Sequence, residues 1–210
     1  MAPRELFVDA IVARAAAAGL SPTRELAGQL ADYIEILAKW NRKINLTSLP
    51  VDPPTDAAID RLVIEPLLAA SAVRDADRVA VDAGSGGGSP ALPLALARPA
   101  LQMVLVESRT RKASFLREAI RHLGLGHVTV ENCRAEDLAG RSELSGCVDV
   151  VTMRAVRPDV ELVSSLVRLL RPGGRLIFFG DVDLSHVGQA FAVERVELAT
   201  GGCLTIGRGG

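Results

Sequence analysis

A glycine-rich segment between a short apolar run and a helical pattern restricts the fold of this chain more than any other feature. Residues 81–90 read Val-Asp-Ala-Gly-Ser-Gly-Gly-Gly-Ser-Pro. The preceding residues 78–83 predict a strand, and residues 90–97 predict a helix. Glycines at such a turn let the backbone approach a ligand closely, and the helix start offers free N–H groups. The segment therefore predicts the first turn of a doubly wound α/β sheet.

Beyond residue 77, short apolar runs alternate with helical segments. Strands that alternate with helices favour a mostly parallel sheet covered on both faces, so we expect a Rossmann-like α/β fold with seven strands. The predicted strands are residues 78–83, 101–106, 127–130, 148–153, 175–179, 191–198 and 203–206. Further helices are predicted over residues 110–123 and 160–170, the latter closed by Pro172-Gly173-Gly174.

Residues 1–72 predict an N-terminal helical cap, and residues 73–210 predict the α/β domain. Gly19 ends the first helix of the cap, and Ser21 is the predicted N-cap of the second, with Pro22 at its first position. A third helix is expected over residues 56–70, where Pro66 predicts a kink or an early end.

Composition excludes several classes of protein. The chain has 210 residues, enough to bury a core without a disulfide or metal. Its net charge of -1 argues against a whole-surface attraction to nucleic acid, although a local basic patch is compatible with it. The spacing of the histidines and cysteines predicts no metal site. No signal peptide or membrane-length apolar run is present, so we expect a cytoplasmic protein without membrane contact.

The spacing of the glycines and an acidic residue indicates the ligand. Asp82, Gly84, Gly86 and Gly88 form a D-x-G-x-G-x-G pattern, whereas a dinucleotide site would have a third glycine or alanine at Ser89. A carboxylate before the first glycine would repel a pyrophosphate but suits a ligand with ammonium and sulfonium groups. We therefore expect S-adenosyl-L-methionine as cofactor, with Asp82 facing it.

Two further strand ends carry acidic residues. Glu107 ends the second predicted strand, where a carboxylate can accept hydrogen bonds from ribose hydroxyls, although it would serve NAD equally well. Ala135 and Glu136 follow the third strand, where a backbone N–H or an acidic side chain can contact an adenine edge. A glycine-rich turn without a ligand is the alternative interpretation.

Four segments together carry a family resemblance. Residues 40–47 read WNRKINLT and look like a WNxxINLT signature, and residues 107–116 are similar to an ESRxKKxxFL stretch. Residues 134–137 and 154–156 match GRAE and SRAV motifs. Over about residues 35–180 the chain resembles the glucose-inhibited division protein B family, the 16S ribosomal RNA guanine-N7 methyltransferases.

The resemblance implies a class I methyltransferase fold, S-adenosyl-L-methionine as cofactor, and guanine N7 of 16S rRNA, free or in the 30S subunit, as acceptor. By analogy with the family, Gly84, Ser89, Ala135, Glu136 and Arg154 would line the cofactor site. We expect the chain to act as a monomer.

The chain departs from the family pattern at four places. Residues 61–66 replace a histidine and an Asp-Ser pair, Ser89 replaces a large apolar residue, Met153 replaces a serine, and Gly180-Asp181 replaces Lys-Gly. These changes concern the substrate side more than the cofactor side. Two alternatives therefore stay open, namely a methyltransferase with a small-molecule or protein acceptor, and a non-catalytic binder of RNA or nucleotide.

Guanine N7 attacks through an in-plane lone pair and needs no general base, so the enzyme mainly orients the reactants. We expect Arg154 to be the catalytic residue that positions them at the mouth of the site. Trp40 is expected to pack between the cap and the sheet rather than to stack on a base. Basic residues predicted to contact RNA, with a solvated helix face as the alternative for those after residue 108, are Arg42, Lys43, Arg109, Lys112, Arg117 and Arg121.

Overall fold

The computed structural model describes residues 3–140, 143–154, 158–184 and 191–209. Within this part of the chain, the strands are β1 (Val79–Ala83), β2 (Gln102–Val106), β3 (Val128–Glu131), β4 (Val148–Arg154), β5 (Leu170–Phe179), β6 (Phe191–Glu197) and β7 (Cys203–Gly209). They form a seven-stranded sheet of the order β3-β2-β1-β4-β5-β7-β6. Strands β1 to β5 pair in parallel, and β7 runs antiparallel to both β5 and β6.

Helices precede and cover the sheet. A π-helical turn (Asp60–Ile64) joins the short helices over residues 56–59 and 65–69, and a 3₁₀ turn (Ala70–Ala72) follows the second of them. The helices are α1 (Pro3–Ala17), α2 (Arg24–Asn41), α3 (Asp56–Ile59), α4 (Glu65–Ala69), α5 (Ala91–Ala97), α6 (Thr110–His122), α7 (Ala135–Ala139) and α8 (Val160–Leu169).

The predicted Rossmann-like, mostly parallel seven-stranded sheet is confirmed. The chain order of the strands reverses between β1 and β4, because β2 and β3 lie on one side of β1 and β4 lies on the other. A crevice opens at such a switch point, beyond the carboxyl ends of the strands. The glycine-rich segment follows β1 directly, so the topology places it at this crevice.

The helical cap packs on one face of the sheet. Trp40 of α2 meets Phe115 of α6 edge to face, with ring centroids 5.9 Å apart, so Trp40 is a packing residue as expected. The buried apolar residues of the cap and of this sheet face form one continuous cluster. The division into residues 1–72 and 73–210 stays a prediction.

The start of α2 corrects the predicted N-cap. Thr23, rather than Ser21, adopts the extended backbone conformation before the helix, and its hydroxyl accepts a hydrogen bond from the Leu26 N–H at 3.2 Å. Pro22 therefore lies outside the helix, because Thr23, two residues after Ser21, provides the cap and the helix begins at Arg24.

Other predicted boundaries also differ in detail. Residues 56–70 are helical as expected, but the irregularity takes the form of the π turn that precedes Pro66. Strand β5 begins at Leu170 rather than at Arg175, and its pairing register with β4 shifts across the Pro-Gly-Gly segment. No helix in the described ranges combines the length and apolarity required to cross a bilayer.

The N-cap assignment yields a direct stability test. Thr23→Ala should lower the free energy of unfolding by about 1 kcal/mol, because the Leu26 N–H loses its acceptor. Ser21→Ala is the matched control and should change it by less than about 0.5 kcal/mol. Urea denaturation of the two variants measures the difference, and a larger loss for Ser21→Ala would refute the assignment.

Candidate functional site

Backbone hydrogen bonds from β2 fix the glycine-rich segment, here called the glycine loop (residues 84–88). The N–H groups of Gly84 and Ser85 donate to the carbonyl of Val106 at 2.9 and 3.0 Å. Gly86 has a φ of +48°, in the left-handed region that favours glycine. The loop therefore exposes bare main chain at the carboxyl end of β1.

The cap holds the same loop from the other side. The hydroxyl of Tyr33 donates to the carbonyl of Gly87 at 2.9 Å. A Cβ atom at Gly87 would lie only 3.1 Å from the carbonyl oxygen of Leu46, so a larger residue here would force the cap segment to shift by a few tenths of an ångström. The cap is thus part of the site rather than a separate appendage.

Asn41 shapes the cap segment that faces the loop. Its side-chain oxygen accepts the N–H groups of Leu46 and Thr47 at 2.8 and 3.0 Å, and its amide nitrogen donates to the Thr47 carbonyl at 3.0 Å. These three bonds fold residues 46–49 into one wall of the site. The WNxxINLT signature therefore encodes a packing residue, Trp40, followed by a loop organiser, Asn41.

Two cavities meet at Gly84 and Ser108. The smaller, of about 210 Å³, is bounded on its apolar sides by Val106, Met153 and Leu162, with Ala135 and Glu136 at its polar edge. Apolar walls with a polar rim suit a flat heteroaromatic ring. The structure thus brings Gly84, Ala135 and Glu136 together, as the sequence predicts.

The larger cavity, of about 640 Å³, lies between the glycine loop and the cap. Gly86, Ser89 and Glu107 line its floor, and the cap residues 46–49 form its outer wall. Glu107 is the one carboxylate among its described lining residues, against four cationic side chains. The cations are Arg61, Arg109, Lys112 and Arg154. Such a surface favours an anionic or electron-rich molecule.

Glu107 connects the loop to the next helix. Its two carboxylate oxygens accept the N–H groups of Gly86 at 3.0 Å and of Arg109 at 2.7 Å. Asn132 donates to the Glu107 carbonyl at 2.7 Å and holds the strand end in place. Since Glu107 also lines the larger cavity, its remaining lone pairs can accept hydrogen bonds from a ligand.

Asp82 does not face a cavity, contrary to the expectation from the sequence. It is 1% exposed and lines neither cavity, because its carboxylate turns inward and accepts the Thr152 hydroxyl at 2.6 Å. Its other oxygen makes no hydrogen bond within the described ranges. Burial raises the pKa of Asp82, although the hydrogen bond from Thr152 opposes this shift. The Asp82 carboxylate is therefore buried beneath the loop and contacts neither cavity.

Arg154, which the sequence places at the mouth of the site, lies in the wall of the larger cavity. Its guanidinium pairs with Glu65 at 2.9 Å, contacts Ser89 at 3.2 Å and covers the Phe179 ring at 4.3 Å. Burial lowers the pKa of Arg154 to about 10, and the carboxylate of Glu65 opposes that shift. The other two residues of the SRAV-like motif, Ala155 and Val156, lie outside the described residues.

The predicted RNA-contacting residues divide into two groups. Arg109 and Lys112 line the larger cavity, whereas Arg117 and Arg121 are exposed on α6 and line neither cavity. Lys43 is exposed, and Arg42 forms an exposed ion pair with Asp52. No cluster of three or more potential metal ligands occurs in the described ranges.

Sequence reasoning missed Glu65 as a site residue. It is buried at the start of α4 and reaches Arg154 from the cap. The available signal was the departure at residues 61–66, which carries the acidic residue at a helical position.

Comparison with known sequences shows one family. The profile described as "GidB: rRNA small subunit methyltransferase G" matches residues 26–187. Ribosomal RNA small subunit methyltransferase G of Sorangium cellulosum is 40% identical over 84% of this chain and 72% of that protein. The protein of the same name from Xanthomonas axonopodis pv. citri is 39% identical over 72% of this chain and 67% of its own length.

Solved structures agree with the fold. An O-methyltransferase from Bacillus cereus, in complex with SAH, superposes with a TM-score of 0.64 at 17% identity, covering 85% of this chain and 90% of that one. A protein from Klebsiella pneumoniae, described as a "putative O-methyltransferase", superposes with a TM-score of 0.62 at 14% identity, covering 84% of this chain and 89% of that one. At these identities the likeness shows the shared Rossmann-like methyltransferase fold alone.

The buried Asp82 carboxylate predicts a pH-dependent stability difference. Because its folded-state pKa is raised, wild type loses stability relative to Asp82→Asn as pH rises from about 4 toward neutrality. The free energy of unfolding of the variant minus that of wild type should therefore increase with pH. Denaturation curves between these pH values measure this slope.

Asp149 provides a control of opposite sign. Burial alone would raise its pKa, but hydrogen bonds from the backbone of Arg78 and Val79 and from Arg171 lower it. The Asp149 carboxylate stabilises the fold above its unfolded-state pKa, and this stabilisation is lost as pH falls. The free energy of unfolding of Asp149→Asn minus that of wild type should therefore decrease with rising pH. A flat or falling profile for Asp82→Asn would show that its carboxylate is not penalised by burial.

Proposed function

Because the chain belongs to the GidB family of rRNA small subunit methyltransferase G proteins, we propose that it transfers a methyl group from S-adenosyl-L-methionine to guanine N7 of 16S ribosomal RNA. The observation that carries the proposal is the pair of cavities that meet at Gly84 and Ser108. The apolar cavity fits an adenine ring, and the basic one fits a nucleotide of the acceptor.

The chemistry of the donor set fits the cofactor. Val106, Met153 and Leu162 would enclose the adenine, Ala135 and Glu136 would meet its edge, and Glu107 would accept the ribose hydroxyls. The unpartnered oxygen of Asp82 adds negative charge beneath the loop, which suits a cationic ligand. When bound, S-adenosyl-L-methionine supplies the electrophilic methyl group.

The residues of this chain orient the acceptor and exclude water. The N7 lone pair lies in the plane of the guanine, so no group needs to remove a proton first. Leu37, Leu46 and Leu49 of the cap present an apolar wall to the larger cavity. Arg154 offers N–H donors in a position that Glu65 and Ser89 fix. Orientation of this kind supplies much of the rate in a displacement reaction.

The charge distribution supports an RNA acceptor despite the net charge of -1. Arg109 and Lys112 lie at the larger cavity and form no salt bridge with any described residue, so they can meet phosphates. The proposal includes 16S rRNA, free or within the 30S subunit, as the acceptor. It also includes a monomeric state and a cytoplasmic location.

The test is transfer to 30S subunits that lack the modification. Purified enzyme with isotope-labelled S-adenosyl-L-methionine should produce labelled 7-methylguanosine in digested 16S rRNA, detected by mass spectrometry. Label in proteins or small molecules but not in rRNA would favour another acceptor. Cofactor binding without transfer to any acceptor would favour the non-catalytic interpretation.

Glu107 is predicted to contribute strongly to cofactor affinity. Glu107→Ala should weaken binding of S-adenosyl-L-methionine by about 1–3 kcal/mol, or about 5- to 150-fold, because charge-assisted hydrogen bonds are lost. Titration calorimetry measures the change. Glu194→Ala, at an exposed position on β6, is the matched control and should bind as wild type does. Equal affinities for both variants would exclude Glu107 from the site.

The two groups of basic residues are predicted to differ in their effect on RNA binding. Arg109→Ala with Lys112→Ala should lower RNA affinity. The double variant should also make the slope of log K against log salt concentration shallower by about 1–2, the amount expected for one or two lost phosphate contacts. Arg117→Ala with Arg121→Ala removes the same charge farther from the cavity and should have a smaller effect. Filter binding at several salt concentrations distinguishes them, and the reverse order would place the RNA on the far part of α6.

A further inference from the structure

Two backbone carbonyls of the cap accept hydrogen bonds from the side chains of Arg154 and Ser89. In the π turn, the Glu65 N–H donates to the Asp60 carbonyl, so the Arg61 carbonyl is available to accept from Arg154. Pro66 has no N–H to donate to the carbonyl of Leu62, which accepts the Ser89 hydroxyl at 2.9 Å instead. The divergent segment 61–66 thus presents two hydrogen-bond-accepting carbonyls to the site.

Glu65, in the same segment, adds a negative charge beside these two carbonyls. Its carboxylate lies 2.9 Å from the Arg154 guanidinium, and the two side chains are only 7% and 8% exposed. Arg61 also approaches Glu65, but at 3.6 Å and with a half-exposed side chain. The charge that Glu65 compensates inside the protein is therefore that of Arg154. Without this partner, a buried guanidinium would be uncompensated and would move toward water.

The nearest water-accessible space for Arg154 is the larger cavity, which Arg61, Arg109 and Lys112 already make cationic. During transfer to guanine N7, the N7–CH₃ bond forms from the N7 lone pair while the S–CH₃ bond breaks and its electron pair returns to sulfur. The positive charge consequently moves onto the base. An uncompensated Arg154 beside that base would oppose this charge movement.

We propose that Glu65 is a positioning residue for methyl transfer, which holds Arg154 in the cavity wall and neutralises its charge beside the acceptor base. This inference rests on the proposed function and deepens it. It assigns the divergent segment 61–66 to the acceptor side of the reaction. Glu65 itself does not line the cavity and acts through Arg154.

The first test separates kcat from KM in Glu65→Gln. We expect kcat for 30S methylation to fall by about ten- to hundredfold. The KM for 30S should stay equal or decrease, because the site gains net positive charge. Asp77→Asn is the matched control, since it removes the carboxylate of another buried arginine pair, Asp77–Arg175, at the opposite end of the sheet. It should lose stability but keep the wild-type kcat per folded molecule.

A second variant displaces Glu65 without removing its charge. A Cβ at Gly202, in the turn between β6 and β7, would lie 2.7 Å from Glu65 Oε1, so Gly202→Ala must shift the carboxylate. We expect a lower kcat here too, with cofactor affinity unchanged. Gly126→Ala, where nothing lies within 4 Å of the new Cβ, is its control and should be fully active. This pair decides the question if Glu65→Gln folds poorly.

A third readout does not require turnover. Phenylglyoxal should modify Arg154 several-fold faster in Glu65→Gln than in wild type, as mapped by mass spectrometry, because the guanidinium becomes accessible. Wild-type levels of kcat in both Glu65→Gln and Gly202→Ala, or unchanged labelling of Arg154, would overturn the inference. Failure of wild type itself to methylate 30S would refute the proposed function, while the labelling result would still decide whether Glu65 holds Arg154.

Discussion

The hydrogen bonds that hold the glycine loop from two sides determine the rest of the site. Below, the Val106 carbonyl and the Glu107 carboxylate accept its N–H groups, and above, Tyr33 donates to the Gly87 carbonyl. The loop therefore cannot move without disturbing both the sheet and the cap. Because both cavities share Gly84, their relative position, and hence the geometry of methyl transfer, depends on these bonds.

The cap supplies more than a cover for the sheet. Asn41 folds the outer wall, and the π turn with Pro66 presents carbonyls that fix Ser89 and Arg154. In a regular α-helix the Glu65 N–H would use the Arg61 carbonyl, whereas Pro66 leaves the Leu62 carbonyl free in either case. The π turn is therefore the feature that makes the Arg61 carbonyl available to Arg154. The departures from the family pattern at Ser89 and at residues 61–66 are thus coupled, since the Ser89 hydroxyl bonds to Leu62.

Sequence alone predicts those features that depend on local pattern and on topology. Strand periodicity and the glycine loop predict the sheet, and parallel strands must bring Gly84, Glu107 and Glu136 to the same edge. The inward direction of the Asp82 side chain cannot be predicted from the sequence, because it depends on the hydrogen bond from Thr152 on the neighbouring strand. The contact of Glu65 with the site cannot be predicted from local sequence, because its partner Arg154 is 89 residues away along the chain.

The central claim is that the adenine of the cofactor lies in the apolar cavity and its ribose reaches Glu107 at the larger one, which leaves the rest of the larger cavity for the acceptor nucleotide. A crystal structure with bound S-adenosylhomocysteine tests this claim most directly. The account predicts electron density for the adenine between Met153 and Leu162, with the ribose hydroxyls within hydrogen-bonding distance of Glu107. Density for the adenine on the cap side of the glycine loop, or Glu107 still bonded only to Gly86 and Arg109, would contradict it.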